Sequence, residues 1–267
     1  MKEPVDHSRL VERFSLQAEL VCQTAVHVGA GKASTDVRAA SDLPVVRDGA
    51  GDPYIPGSSF RGALRSGLES LLRGIGDSDK VCDPFSDDSC AERIKVAKKD
   101  LNPQDITESR VFHLAWDKSC PICSLFGSTF LASRLWIADL TMKKSRATYL
   151  RNGVGLDRDL RTAAKGVLYD FEAVAAGSRF TLRIDLENPA DYEVGLLLTG
   201  LDLFGQGILN VGGKRARGLG TASVEDPSVR RWTAADFFDP EKRQGTKLGD
   251  PELDAFRAAA RQHYVGG

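Results

Sequence analysis

The sequence lacks any apolar run near the roughly 20 residues that span a bilayer, so neither a spanning helix nor a membrane partner is expected. Residues Met1–Arg13 are charged and have no apolar signal core, so secretion is not expected and the cytoplasm is the expected location. An excess of one charge is missing too. The 36 Lys and Arg face 37 Asp and Glu, a net charge of −1. A chain that holds nucleic acid by bulk charge usually has a pI above roughly 9, so any such contact must come from local basic stripes. Cysteine is scarce, at five, and in a chain without an export signal a C-x-x-C pair points to metal rather than disulfides. What remains is 267 residues, 42% hydrophobic and 27% charged, which suits one large soluble domain carrying insertions.

Charge is segregated along the chain. Acid gathers at Asp77, Asp79, Asp83, Asp87 and Asp88 and again from Glu225 to Asp254. Base gathers at Arg61/Arg65, Lys143/Lys144/Arg146/Arg151, Arg158/Arg161/Lys165 and Lys214/Arg215/Arg217. Period-two alternation predicts strands over Phe14–Cys22, Trp136–Met142 and Phe180–Leu186, with a short fourth strand over Gly220–Val224. In the second, Trp136, Ala138, Leu140 and Met142 are the expected apolar face. A helix is predicted after Pro56-Gly57, capped by Ser58 or Ser59, and a second from Asp191, with Val194, Leu197, Leu198, Leu201 and Phe204 facing inward. A late helix opens at Asp250-Pro251, read as cap and first-turn proline. The order strand, helix, strand, strand, helix, strand is the ferredoxin-like α+β arrangement that RRM-type RNA binders share. Two insertions interrupt it, at 74–133 and 149–176, both longer than ordinary connections.

Chemistry concentrates in these interruptions. Cys120-Pro121-Ile122-Cys123 forms a knuckle that Cys82 and Cys90 complete as a tetrahedral zinc site, with His113 as an alternative ligand. Four protein ligands leave no open position, so the zinc is expected to be structural. Cys22 falls on an apolar strand face and is expected in the core. Gly29–Ser34 fails the phosphate-loop pattern, because Val26 stands where its first glycine belongs and Ala33 follows Lys32. Gly212–Gly220 mixes four glycines with Lys214, Arg215 and Arg217, a loop suited to backbone phosphates. The 149–176 insertion reads as a projecting hairpin whose Leu160, Val167, Leu168 and Tyr169 could wedge between bases. Ser58, Ser59 and the helix start, with Arg61 and Arg65, offer another phosphate site.

Together VHVGAGKAS (26–34), SDLPVVRD (41–48), YIPGSSFRGALRS (54–66), CPICSLFGS (120–128), GVGLDRDLRTAAKGVLYDFEAV (153–174) and GGKRARGLG (212–220) resemble the RAMP superfamily, specifically the repeating backbone subunit of type III CRISPR-Cas effector complexes. The resemblance runs from about Phe14 to Val224. It implies a modified RRM-like core, with copies stacked along a CRISPR RNA beside the large and small subunits. The 149–176 insertion would be a thumb hairpin entering the guide–target duplex. Asp42 would drive cleavage of the paired target RNA with Mg²⁺ or Mn²⁺, and Cys82, Cys90, Cys120 and Cys123 would hold Zn²⁺. RNA contacts are expected from Ser58, Ser59, Arg61, Arg65, Arg158, Arg161, Lys165, Lys214, Arg215 and Arg217. From the sequence alone, Asp36 and Asp48 compete with Asp42, and Asp48 is expected to cap the Gly49–Gly51 turn. An inactive scaffold subunit of the same complex and a zinc-stabilised protein-interaction module are the alternative readings.

Overall fold

The structure is a computed structural model that describes residues 7–30, 41–75, 81–102, 104, 106–144, 147–156 and 159–266, with the backbone alone at 144, 156 and 163–168. A mixed α/β architecture results, built on an antiparallel sheet. Strand β1 (Glu12–Cys22) lies between β6 (Arg179–Glu187) and β7 (Ala222–Thr233). The short β2 (Leu135–Ile137) and β3 (Met142–Lys144) pair with the far side of β6, and β8 (Thr246–Lys247) closes the other edge. The strand order is β2-β6-β1-β7-β8.

One face of this sheet carries the core. Phe14, Leu16 and Leu20 of β1 and Phe180, Leu182, Ile184 and Leu186 of β6 are buried against α1 (Gly57–Gly74) and α5 (Asp191–Gly205). The alternating apolar residues dictate that arrangement, because a pleated strand presents every second side chain to one side. Phe60 of α1 stacks on Phe204 of α5 at 4.8 Å, and α6 (Asp250–Tyr264) adds Phe256 edge-on to Phe14. Helices α5 and α6 approach so closely at Gly195 that a Cβ there would collide with the Phe256 carbonyl oxygen.

Several boundaries differ from the sequence expectation. Helix α1 begins at Gly57 with Pro56 as its N-cap residue, and neither Ser58 nor Ser59 caps it. The Asp139 carboxylate accepts from the Gly57 N–H at 2.8 Å instead. In α6 the cap is Gly249, which moves Asp250 into the first turn. The strand expected over Trp136–Met142 is broken into β2 and β3, and its first half faces the other way: Leu135 is buried whereas Trp136 is 41% exposed. Strand β7 runs nine residues past Val224, to Thr233. A register shift opposite Gln17 and Glu19 accommodates Asp226, at φ 52°, and Pro227.

Residues 81–133 fold into α2 (Cys90–Lys99), α3 (Glu108–Lys118) and α4 (Pro121–Phe126). Their own core is small: Ile94, Ala115 and Leu131, with Phe112 and Phe130 packed on it. Arg134 ties this segment to α5 through a buried pair with Glu193, and its guanidinium lies 4.7 Å from the Trp116 ring centroid. Strands β4 (Thr148–Leu156) and β5 (Ala163–Val174) form a separate two-stranded sheet. No helix among the described residues is long and apolar enough to cross a membrane.

The α5–α6 contact gives a direct check. Gly195→Ala should cost about 1–3 kcal/mol by overpacking, seen as a lower thermal midpoint. Gly205→Ala, whose Cβ would enter open space, should change stability by less than about 1 kcal/mol. Equal midpoints for the two variants would contradict the close approach.

Candidate nucleic-acid interface and metal centre

The free edge of β5 organises the first part of the site. Alternate N–H groups along a strand point to the same side, and those of Asp170, Glu172 and Val174 point away from β4. They donate to the Asp42 carboxylate (Oδ2, 3.1 Å), the Leu43 carbonyl (3.0 Å) and the Val26 carbonyl (2.8 Å). The Asp42 N–H in turn donates to Asp170 Oδ1 at 2.7 Å. Asp42 is therefore exposed yet fastened to β5. The run Pro44–Arg47 is extended, with Val46 N–H on the Val28 carbonyl and Ala30 N–H on the Pro44 carbonyl. Asp48 holds its own turn, accepting from the Ala50 and Asp52 N–H groups, both at 2.9 Å. Asp36 lies outside the described residues.

Glu172 collects the remaining bonds. Its carboxylate pairs with Arg47 and accepts from the Val45 N–H at 3.1 Å, and its carbonyl accepts from His27 Nδ1 at 2.6 Å. Burial alone would raise the Glu172 pKa, but the Thr148 hydroxyl, the Val45 N–H and Arg47 outweigh it and hold the carboxyl below its ordinary value. His27 is itself buried, edge-on to Phe171 at 5.5 Å. Because Nδ1 must donate to a carbonyl, the neutral ring carries its proton there.

A groove of about 1020 Å³ opens beside this hub. Ser59, Gly62, Ser66, Gly67 and Ser70 of α1 form one wall, and Gly212, Gly213 and Arg215 lie across from them. Arg215 and Arg217 are exposed on a short 3-10 turn, preceded by Lys214 in a left-handed conformation (φ 64°). Lys214 Nζ sits 4.7 Å from the Tyr169 ring centroid and 5.3 Å from that of Phe171. Arg217 lies 5.3 Å from Tyr169. These cation–π contacts join the glycine-rich loop to β5.

The open face of the main sheet is built differently. Arg13 pairs with Asp185 and Glu187, and Arg183 with Asp185. Glu19 pairs with Lys143 and Arg179, and Arg179 also with Glu225. No aromatic side chain stands on the described part of this face in β1 or β6. On β1 and β6 such a mosaic leaves neither spare positive charge nor a stacking platform for bases, although Trp136 of β2, paired with Asp185, stands 41% exposed on the same side.

The four cysteines of the 81–133 segment converge. Cys82, Cys90, Cys120 and Cys123 are buried, and their sulfurs all lie within 4.8 Å of one another. Cys82 Sγ is 3.5 Å from Cys123 Sγ and 3.9 Å from Cys120 Sγ. Sulfurs bound at 2.3 Å around a tetrahedral ion stand about 3.8 Å apart, so the group could bind a metal such as zinc. Backbone N–H groups of Cys120 and Cys123 point at the sulfurs of Cys90 and Cys120, at 3.1 and 3.4 Å. Arg65 and Arg93 approach Cys123 and Cys90 at 3.6 and 3.8 Å, a cationic rim for a thiolate cluster. Hydrogen bonds from Cys123 and Cys90 lower the Cys120 pKa, while the bond to Cys120 pushes Cys90 up to about 12. His113 is exposed on α3 and stands outside the group. Cys22 is buried in the core as expected, its thiol pushed up to about 12 by burial.

A family model described as "RAMP superfamily" matches residues 19–223, from within β1 to the second residue of β7. The chain belongs to the RAMP superfamily. Three relatives are each named "CRISPR system Cms endoribonuclease Csm3". That of Methanothermobacter thermautotrophicus is 40% identical over 70 residues, which is 26% of this chain and only 28% of that protein. The Streptococcus thermophilus protein is 26% identical over 221 residues, 80% of this chain and 86% of the relative. The Methanocaldococcus jannaschii protein is 25% identical over 236 residues, covering 83% and 82%.

Within this RAMP domain the predicted site residues divide. Asp42 and the 212–217 loop meet on β5, and Ser59 faces the groove with Arg215. Ser58 is exposed at the start of α1. Arg61 and Arg65 are half-buried and turned toward protein: Arg61 donates to the Phe126 carbonyl, and Arg65 to Glu69 at 2.9 Å and the Gly127 carbonyl at 3.3 Å. Arg161 is exposed on the β4–β5 connection, at φ 53°. Arg158 and the Lys165 side chain lie outside the described residues. Sequence reasoning missed Asp139 as the α1 cap and Glu172 and His27 as hub residues. A lone acid or histidine inside an alternating pattern carries no local signal of its distant partners.

Glu172 sets a pH expectation. Its folded pKa lies below the ordinary 4.5, so it contributes stability above that value and loses it as pH falls through the folded pKa. Glu172→Gln should shrink the acid-side fall in thermal midpoint. A fall as steep as in the wild type would contradict the hub.

Proposed function

We propose that this RAMP domain is a CRISPR RNA-binding backbone subunit of a type III effector complex, cleaving guide-paired target RNA in a divalent-metal reaction. The observation that carries the reading is the meeting on β5 of an exposed, oriented carboxylate, Asp42, with the cationic loop that borders the groove. The endoribonuclease names of the relatives support the activity. The strand order β2-β6-β1-β7, with α1 and α5 on one face, supports a ferredoxin-like core within a single domain spanning 1–267. On it, 74–133 would be a zinc-binding insertion and 149–176 a thumb hairpin. Its partners are the guide and target RNAs, further copies or related subunits, and the large and small subunits.

The guide backbone would run along the groove. Small residues on α1 let a sugar–phosphate chain come close, and Ser58, Ser59 and Arg215 would bond phosphate oxygens. Lys214 and Arg217 would contribute charge from their places over Tyr169, with Arg158, Arg161 and Lys165 meeting the duplex from the hairpin. Arg61 and Arg65 are left out, because their donors already serve the 126–127 turn and the cysteine cluster. The open sheet face is left out for its balanced charge. At the reacting phosphate, Asp42 would hold Mg²⁺ or Mn²⁺, a hard cation that takes one or two carboxylates and keeps several waters. Such an ion supplies charge neutralisation and an activated water. The chain's own part is to hold one carboxylate oxygen toward solvent while β5 fixes the other.

Zinc would serve structure. The small core of 81–133 needs a staple, and thiolate ligation contributes folding free energy on the order of 10 kcal/mol in zinc peptides. Cys120→Ser with Cys123→Ser should release one zinc per chain and open the 74–133 segment to limited proteolysis. A wild-type protein free of zinc by elemental analysis would refute the staple.

Two further outcomes are expected. Arg215→Ala should weaken RNA binding equally for unrelated guides and lower the salt slope by about 0.7 per lost contact; a sequence-selective loss would contradict backbone binding. Asp42→Ala should abolish target cleavage with assembly and target affinity intact. Cleavage at the wild-type rate, with neighbouring subunits' sites accounted for, would remove the assignment of Asp42.

A further inference from the structure

We infer that Asp170 is the positioning residue for Asp42, acting through its side-chain acceptor oxygen and not through its charge. The inference rests on the reading of Asp42 as the metal-holding group. The geometry is reciprocal. Asp170 Oδ1 accepts from the Asp42 N–H at 2.7 Å, and the Asp170 N–H donates to Asp42 Oδ2 at 3.1 Å. The second bond continues a ladder. Along the outer edge of β5, the N–H groups of Val174 and Glu172 meet backbone carbonyls of Val26 and Leu43. At the next outward position, Asp170, the Asp42 carboxylate takes the place of a carbonyl. The Asp42 side chain is thereby held in register with a strand, and Oδ1 has no hydrogen-bond partner among the described residues.

The first bond makes that arrangement specific. Without it the Asp42 backbone could turn about Leu43, and the carboxylate would leave the strand edge. Two like charges this close repel, and each is offset here by a backbone N–H from the other residue. An asparagine at position 170 keeps the acceptor and removes the repulsion. An alanine removes both. A carboxylate needed as a second metal ligand would show the opposite pattern, since its charge would be essential.

The test uses the assembled complex with its guide, comparing Asp170→Asn, Asp170→Ala and Asp42→Ala. Target cleavage under single-turnover conditions, its Mg²⁺ dependence and amide hydrogen exchange over residues 41–43 are measured together. Asp170→Ala should lower the cleavage rate by about 100-fold, the loss typical of a roughly 1 Å misplacement. It should also raise the half-saturating Mg²⁺ concentration, speed exchange at Asp42, and leave target affinity unchanged. Asp170→Asn should restore the cleavage rate, the Mg²⁺ dependence and the protection. Wild-type cleavage by Asp170→Ala, with Asp42→Ala inactive, would overturn this inference alone. So would inactivity of Asp170→Asn, which would make the charge essential; that arm decides the matter even if Asp170→Ala fails to assemble. Cleavage by Asp42→Ala would instead remove the reading beneath it.

Discussion

The Glu172 carboxylate and its backbone hold together what the rest of the site depends on. The carboxylate meets Arg47 and the Val45 N–H, the amide meets Leu43, and the carbonyl meets His27. One residue of β5 thus fixes the exit of β1, the 43–47 run and the base of the β4–β5 hairpin. A charge-assisted network of this kind is valuable because every member is satisfied; removing one partner strands the others in a partly dry setting. Asp42, two residues before Pro44, inherits its position from that network.

The same economy governs the cations. Lys214 and Arg217 lie over aromatic rings of β5, Arg65 faces the cysteine cluster, and Arg134 is buried against Glu193. Of the basic residues read from sequence as RNA ligands, several first do structural work. This reconciles a net charge of −1 with a nucleic-acid role: a few well-placed donors along a groove of small residues suffice, since backbone contacts position the chain without reading sequence. The open sheet face, with Glu19, Asp185 and their arginines neutralised in place, adds no field of its own.

Much of the fold was legible because burial has a period. Phe180, Leu182, Ile184 and Leu186 alternate cleanly, and Val194 through Phe204 trace one helix face, so β6 and α5 stand where the pattern put them. Trp136 misled because a large aromatic on the open side mimics a core position, and its inward neighbours, buried Leu135 and half-buried Ile137, lie one residue away. The end of β7 was hidden by Asp226 and Pro227, ordinary strand breakers that a register shift absorbs. In the site, the cysteines were legible from spacing alone. The ties from Asp42 to Asp170 and from Arg47 to Glu172 span 128 and 125 residues, and local pattern holds no trace of contacts at that separation.

The central claim is that RNA lies in the groove between α1 and the glycine-rich loop and not on the sheet, as in an RRM. Ultraviolet crosslinking of the purified complex, with peptide mapping of the RNA adducts, tests this most directly. The account predicts adducts on peptides containing residues 57–70, 149–176 and 212–217. Adducts concentrated on β1 and β6 of the open sheet face, with the groove peptides unmodified, would contradict it.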